Sequence, residues 1–170
     1  MGTIQASIDG AVEYLREHPD EARYRDGPAT ATASADDGLR VVVSGTSGES
    51  VATDMVAAVG GGGTAPSPGW LFRAAQASCV ATLIRMRAEM LDVDVGAVEV
   101  TVDSESDDRG ILGIDPDVVA GPLSTRIVVR LGATELPSDA VEAIVRWAVD
   151  HCPVTEATTR SVPMEVVIEG

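Results

Sequence analysis

The chain contains no lysine, so all 12 of its basic residues are arginines, and they face 27 acidic residues. The formal net charge of −15 at pH 7 is unfavourable for contact with phosphate backbones or anionic lipid headgroups. We therefore expect no nucleic-acid partner and no membrane partner. Concentrated salt screens the self-repulsion of such a surface, while hydrated carboxylates keep the protein dissolved. The charge balance thus indicates a halophilic protein, which is a statement about habitat rather than function.

Aromatic residues are also scarce, at 3% of the chain, so the core must be built from alanine, valine, leucine and isoleucine. No run of about 18 apolar residues occurs that could form a transmembrane helix. The N-terminal sequence lacks a basic region followed by a long apolar stretch, which is the pattern of a secretory signal. We therefore expect a cytoplasmic protein, whose two cysteines are reactive or simply buried rather than joined in a permanent disulfide.

The 170 residues suit one compact domain, and their hydrophobic pattern predicts an α+β protein. The longest predicted helix covers about 68–91, with Ser67 as its N-cap and Pro68 as its first residue. A β-hairpin is predicted over 29–44, with its turn at Asp36-Asp37-Gly38. The other predicted elements are a helix over 5–18, a strand or loop near 50–58, strands at 97–103 and 123–131 joined by an exposed acidic loop, a helix over 139–151 capped by Ser138, and a closing strand at 164–168.

The two cysteines occupy different positions on the predicted helices. Cys79 falls on an apolar stripe of the longest helix, which we expect to be buried, and core packing alone would explain a cysteine there. Cys152 ends the 139–151 helix, where partial negative charge disfavours a thiolate, so it is a poor first nucleophile and a better second one. Cys79 would need a nearby arginine to be held as a thiolate. The stripe consists of Leu71, Ala75, Cys79, Leu83, Met86 and Met90.

Other motifs have simpler structural explanations. The run Gly60–Gly63 precedes a helix, but no Gly-Lys-Ser/Thr follows, so we interpret it as a flexible turn rather than a phosphate-binding loop. The acidic run 103–108 lacks the glycine and final glutamate of a calcium loop, which indicates a solvated loop. His151 has too few companion ligands for a zinc site and suits the end of a helix. Trp70 and Trp147 are either core or interface residues, or walls of an apolar pocket.

Two stretches resemble the OsmC/Ohr family, the osmotically inducible protein C-like and organic hydroperoxide resistance proteins. Gly60-Gly61-Gly62-Gly63-Thr64-Ala65-Pro66-Ser67-Pro68, then Leu71-Phe72-Arg73-Ala74-Ala75-Gln76-Ala77-Ser78-Cys79, resembles the family's glycine-rich loop, helix start and first cysteine. Some 70 residues later, His151-Cys152-Pro153-Val154 resembles its second-cysteine motif. The resemblance covers about residues 25–170. We therefore expect an N-terminal helical extension over 1–22 and an OsmC-like domain over 23–170.

This resemblance implies an OsmC-like fold, with antiparallel sheets around a long central helix and two chains intertwined as a homodimer. It also implies a peroxidase that reduces organic hydroperoxides: Cys79 attacks as a thiolate and becomes a sulfenic acid, and Cys152 closes a disulfide with it. Family members are re-reduced by dithiols such as lipoyl groups, so the resemblance implies no metal and no bound cofactor.

The family also uses an arginine from its N-terminal strands to stabilise the thiolate. Arg25-Asp26-Gly27 resembles the corresponding Arg-Asp-Gly, which selects Arg25, with Arg23 and Arg40 as alternatives. One departure concerns Gly69, which stands where peroxidases of the family carry a carboxylate that orients the arginine; Asp26 or Glu49 could replace it. The missing carboxylate favours a rival hypothesis, a non-catalytic OsmC-fold dimer that binds a small apolar ligand in an interface pocket.

Overall fold

The computed structural model describes residues 2–132 and 135–169. They form two compact units, one made of residues 9–72 and the other of residues 2–8 together with those from 73 onwards. Helices and antiparallel strands are both present, so the α+β prediction is confirmed. No helix in the described part of the chain is long and apolar enough to span a membrane. The elements are α1 (Thr3–Glu17), β1 (Thr30–Ala33), β2 (Val41–Ser44), β3 (Ser50–Thr53), α2 (Pro68–Met90), β4 (Val98–Glu105), α3 (Asp108–Ile111), β5 (Ser124–Leu131), α4 (Ser138–Asp150) and α5 (Pro153–Thr159).

The unit of residues 9–72 contains a three-stranded antiparallel sheet in the order β1-β2-β3. Its first hairpin is the predicted one, with Thr30 opposite Ser44 and Ala33 opposite Val41. Gly38 in the turn has φ +62°, a conformation that glycine adopts without a steric penalty. After β3, a glycine-rich loop leads to the start of α2, where the Ser67 hydroxyl accepts a hydrogen bond from the Trp70 N–H, as predicted for an N-cap.

The other unit contains the hairpin of β4 and β5, which pair over eight residues from Val98–Leu131 to Glu105–Ser124. One face of this hairpin packs its valines and isoleucine against the core. The opposite face carries cross-strand ion pairs, Arg126 with Asp103 and Arg130 with Glu99, which are exposed and contribute little in salt. The fully or nearly fully buried core consists of Val80, Ile84, Ala88, Val95, Ile144, Ala148 and Cys152.

Helix α2 buries a different stripe from the predicted one. The buried residues are Gln76, Val80, Ile84 and Ala88, one position on from the predicted series that contains Cys79. Cys79, Leu83, Met86 and Met90 are only half-buried, and Ala75 is exposed. The prediction failed because both stripes are apolar, so periodicity alone does not show which of them faces the chain's own core. Helix α2 therefore has a core-facing stripe and a second apolar strip, with Met86 and Met90, that the described part of the chain leaves half-exposed.

Two other predictions about the C-terminal third were wrong. Ser138 is the first residue of α4 and not its cap; Pro137 occupies the cap position without a side-chain hydrogen bond. Residues 164–168 form no strand, and Met164, Val166, Val167 and Ile168 are 86%, 77%, 68% and 92% exposed. A strand needs a partner to satisfy its backbone, and the described part of the chain provides none for this segment. The segment is therefore apolar and exposed, and it is unpaired within the described part of the chain.

Candidate active site

The structure brings Cys79 and Cys152 together, within the unit that includes residues 73 onwards. Cys79 lies on α2 and is partly exposed, whereas Cys152 is completely buried between α4 and α5. Both are free thiols, and Cys79 packs against the core cluster to which Cys152 belongs. Each cysteine also affects the pKa of the other through a hydrogen bond between their side chains. An accessible thiol therefore lies beside a buried one.

Cys152 is the N-cap of α5, a short helix that sequence analysis missed. Its sulfur accepts a hydrogen bond from the backbone N–H of Thr155, with N and Sγ 3.4 Å apart. The signal for α5 was present in the sequence, because Pro153 suits the first helical position and Glu156 suits the first turn. The expectation that Cys152 sits in an unfavourable field at the end of α4 was therefore incomplete, because donors at the start of the next helix also reach its sulfur.

The hydrogen bonds make Cys152 the more acidic of the two thiols. Burial raises the pKa of Cys152, but hydrogen bonds from the Thr155 hydroxyl and N–H, the Cys79 thiol and the Val154 N–H outweigh burial and lower the pKa overall. Burial raises the pKa of Cys79, and the hydrogen bond and charge of Cys152 raise it further, against one lowering contact from the Val154 N–H. Within this unit the negative charge is therefore favoured on Cys152, and Cys79 keeps its proton.

Gln76 is a polar residue in the core stripe of α2, one turn before Cys79. It is 2% exposed, and its Nε2 donates a hydrogen bond to Thr155 Oγ1 at 3.4 Å. Its Oε1 is buried and has no hydrogen-bond partner among the described residues. An unpaired buried amide oxygen costs about 1–3 kcal/mol, so this side chain is not explained by packing. The sequence reasoning passed over Gln76 because its position was not recognised as part of the buried stripe.

Arg25 lies in the unit of residues 9–72, as do Arg23 and Arg40. Arg25 is exposed and makes no hydrogen bond or ion pair with any described residue, so neither Asp26 nor Glu49 holds it. Glu49 instead accepts a hydrogen bond from the Ser47 N–H. The pairing of Arg25 with Cys79 stays a prediction.

His151 is the C-cap of α4, at the end of the helix as predicted. Its Nδ1 donates to the Trp147 carbonyl at 2.8 Å, and its ring stacks on the Trp147 ring with centroids 4.2 Å apart. The Arg87 guanidinium lies 4.9 Å from the same indole centroid. These three side chains hold the end of α4 against α2, immediately before Cys152. No group of three His, Cys, Asp or Glu side chains that could hold a metal ion is found among residues 2–132 and 135–169.

An apolar cavity of about 210 Å³ lies between the C-terminal half of α2 and α4. Its lining includes Arg87, Leu91 and Ile144, but neither cysteine and neither tryptophan. The prediction that Trp70 or Trp147 walls an apolar pocket therefore finds no support in this cavity.

A second buried polar cluster, which the sequence reasoning did not identify, fixes the loop before α2. Asp54, 3% exposed, accepts hydrogen bonds from the N–H groups of Met55 (2.7 Å), Gly62 (3.3 Å) and Thr64 (2.9 Å), and from the Thr64 hydroxyl (2.8 Å). These contacts, above all the Thr64 N–H, lower the pKa of Asp54 to about 2. Gly61 approaches so closely that a Cβ there would lie 1.9 Å from the Met55 carbonyl oxygen. The hydrogen bonds to Asp54 therefore fix the glycine-rich loop, and the prediction of a flexible turn was wrong.

Comparison with known proteins gives a consistent result. A family model described as OsmC-like protein matches residues 60–167, and no curated protein matches. The organic hydroperoxide resistance protein OsmC from Legionella pneumophila is 22% identical, with a TM-score of 0.62 over 79% of this chain and 90% of that chain. An OsmC-like protein from Mycoplasma pneumoniae is 9% identical, with a TM-score of 0.66 over 81% and 89%. The organic hydroperoxide resistance protein of Bacillus subtilis is 19% identical, with a TM-score of 0.52 over 79% and 90%. Identities this low establish the shared fold, which is the predicted one.

Proposed function

This chain belongs to the OsmC-like protein family, and we propose that it is a thiol-dependent peroxidase that reduces organic hydroperoxides. The observation that carries the proposal is the accessible thiol of Cys79 beside the buried, hydrogen-bonded Cys152. Two structural neighbours, from Legionella pneumophila and Bacillus subtilis, are organic hydroperoxide resistance proteins, which supports a peroxide as the substrate. A cytoplasmic location would keep both thiols reduced between turnovers.

In the first step the sulfur of Cys79 attacks the terminal oxygen of the hydroperoxide. An S–O bond forms, the O–O bond breaks, and the leaving alkoxide takes a proton to become the alcohol. Cys79 is oxidised to a sulfenic acid and the peroxide is reduced. The contacts of Cys79 described above favour its protonated form, so this step needs a base or a cation beside the Cys79 thiol. The neighbouring Cys152 thiolate can accept that proton and pass it to the leaving alkoxide, which restores the Cys152 thiolate, while a guanidinium such as that of Arg25 can stabilise the Cys79 thiolate.

In the second step the Cys152 thiolate attacks the sulfur of the Cys79 sulfenic acid. The S–S bond forms, the S–O bond breaks, and hydroxide leaves with a proton as water. An external dithiol, for which a lipoyl-type group is our candidate, then returns two electrons and two protons and restores both thiols. No metal or bound cofactor takes part in this scheme.

The proposal includes a homodimer. Helix α2 carries Met86 and Met90 outside the face that packs on the core, and both are only half-buried by the described part of the chain. An exposed apolar surface of this kind marks an interaction site. The exposed apolar segment at 164–168 supports the same inference, because it lacks a strand partner in the described part of its own chain. A second copy would cover both surfaces, and Cys79 would then lie at the edge of the interface.

The test is a free-thiol titration in concentrated salt after one equivalent of cumene hydroperoxide or, separately, hydrogen peroxide. In the wild type we expect rapid loss of both thiols, faster with the organic peroxide. Cys152→Ser should stop at a sulfenic acid that dimedone captures, and Cys79→Ser should be inert. If both thiols of the wild type survive minutes of exposure, the peroxidase proposal fails. The next experiment would then be a search for an apolar ligand bound to the dimer.

A further inference from the structure

Gln76 and Thr155 form a chain of hydrogen bonds that ends on the sulfur of Cys152. The Gln76 amide donates to the Thr155 hydroxyl oxygen across 3.4 Å. The Thr155 backbone N–H donates to Cys152 Sγ, also across 3.4 Å. Both contacts lie within one unit of the chain; the first connects α2 to α5, and the second lies within the first turn of α5.

The direction of donation in this chain favours negative charge on the sulfur. A threonine hydroxyl has one proton to donate and two lone pairs that accept. Because Gln76 Nε2 donates to one lone pair, the hydroxyl proton is free to point elsewhere, and the Thr155 hydroxyl is one of the groups that lower the pKa of Cys152. Thr155 therefore donates its N–H to the Cys152 sulfur, and the hydroxyl that accepts from Gln76 keeps its own proton available for the same sulfur.

A buried amide in the core stripe of α2 is otherwise unexplained. The other stripe positions carry Val80, Ile84 and Ala88, and a leucine at position 76 would leave no polar atom unpaired. Gln76 instead leaves its Oε1 without a partner among the described residues and uses its amide nitrogen for Thr155. The geometry thus indicates that Gln76 serves to hold Thr155 at the start of α5.

We propose that Gln76 and Thr155 are positioning residues that hold Cys152 as the thiolate that resolves oxidised Cys79, a role that rests on the proposed peroxidase function. A buried cysteine would by itself keep its proton and attack slowly. The Thr155 N–H, together with the hydroxyl that Gln76 holds in place, offsets that burial, so that Cys152 is ready as soon as the Cys79 sulfenic acid forms. Neither residue touches the peroxide, and both act through the Cys152 sulfur.

The first test needs no peroxide and therefore stands apart from the proposed function. In a Cys79→Ser background, Cys152 is the only cysteine, and its thiolate absorbance in the ultraviolet can be titrated against pH in concentrated salt. We expect Thr155→Val and Gln76→Leu to move the midpoint upward, with the larger move for Thr155→Val, and Thr155→Ser to restore it. Thr159→Val is the matched control on the same helix, since its hydroxyl bonds only the Glu156 carbonyl.

The second test follows disulfide closure in the two-cysteine protein after a pulse of cumene hydroperoxide. A hydrogen bond contributes about 0.5–1.5 kcal/mol net, which corresponds to about a two- to thirteenfold slower closure in Thr155→Val and a longer-lived sulfenic acid. Thr155→Ser should close at nearly the wild-type rate. Circular dichroism establishes that each variant is folded, and Gln76→Leu tests the same chain from its other end if Thr155→Val does not fold.

The proposal is overturned if the titration midpoint is the same in Thr155→Val, Gln76→Leu and Thr159→Val, whether or not Cys79 reacts with the peroxide. Shifted midpoints without any reaction of Cys79 would instead support the hydrogen-bond chain and remove the peroxidase function.

Discussion

The two apolar faces of α2 predict two different consequences of substitution. Ile84, on the face turned to the chain's own core, is completely buried. Met86 lies about 200° further round the helix, is half-buried and does not belong to the core cluster. We expect Ile84→Ala to weaken folding and Met86→Glu to weaken association, because glutamate and methionine have similar helix propensities.

The magnitudes follow from burial. Ile84→Ala leaves a cavity in a packed core and should cost about 2–5 kcal/mol, which lowers the melting temperature by roughly 4–20 °C at any protein concentration. Met86→Glu places one carboxylate per copy in the proposed two-fold interface, so each cost counts twice. If each copy loses only about 1.4 kcal/mol of association free energy, the dimer dissociation constant would rise roughly a hundredfold.

Sedimentation equilibrium over a range of concentrations in high salt measures the dissociation constant, and circular dichroism follows melting. Met86→Leu preserves volume and apolarity and should behave as the wild type. If Met86→Glu associates as tightly as Met86→Leu, no second copy covers this face, and the homodimer proposal is wrong. If Ile84→Ala costs less than about 1 kcal/mol, the assignment of the core stripe is wrong instead.

Three further predictions concern other parts of the chain. The pKa of Asp54 is lowered from 3.8 to about 2 in the folded protein. The Asp54 carboxylate therefore stabilises the fold at pH values above its unfolded-state pKa, and this contribution is lost as the pH falls toward about 2. The difference in urea midpoint between wild type and Asp54→Asn should shrink over that pH range. Gly61→Ala should cost about 1–3 kcal/mol in urea unfolding, because its Cβ would meet the Met55 carbonyl, whereas Gly121→Ala, where a Cβ meets no atom within 4 Å, should be nearly neutral. Deletion of residues 162–170 should weaken association in sedimentation experiments and leave the far-ultraviolet circular dichroism of the helices unchanged, since no described residue from 162 onwards belongs to a helix or strand; unchanged association would show that the segment does not contact a second copy.

Local signals in the sequence predicted most of the architecture. The first hairpin was predicted from the turn residues Asp36-Asp37-Gly38 and the valine-rich run that follows them. The start of α2 was predicted to within a residue from the N-cap Ser67 and from Pro68. The pairing of Cys79 with Cys152 came from the resemblance to a family, since no periodicity places residues 73 positions apart in contact.

The errors arose where an outcome depends on contacts that a single sequence does not specify. Two overlapping apolar stripes on α2 are equivalent until the packing of β4, β5 and α4 selects the one that contains Ile84. The valine-rich end of the chain reads as a strand, but strand formation requires an edge to pair with. Asp54 was missed because its ligands are backbone N–H groups 8–10 residues away, which carry no sequence signature.

The exposed C-terminal segment has a consequence for the lifetime of the protein in the cell. Proteases cleave exposed, unpaired segments far faster than paired strands, and apolar residues such as Met164 and Ile168 are recognisable to quality-control systems. A newly made copy that has not yet met its partner would display this segment openly, whereas an assembled copy would hide it. In the proposed homodimer this segment would be covered by the second copy and would also mark surplus chains for removal, so that the cellular amount of the protein would follow its assembled fraction.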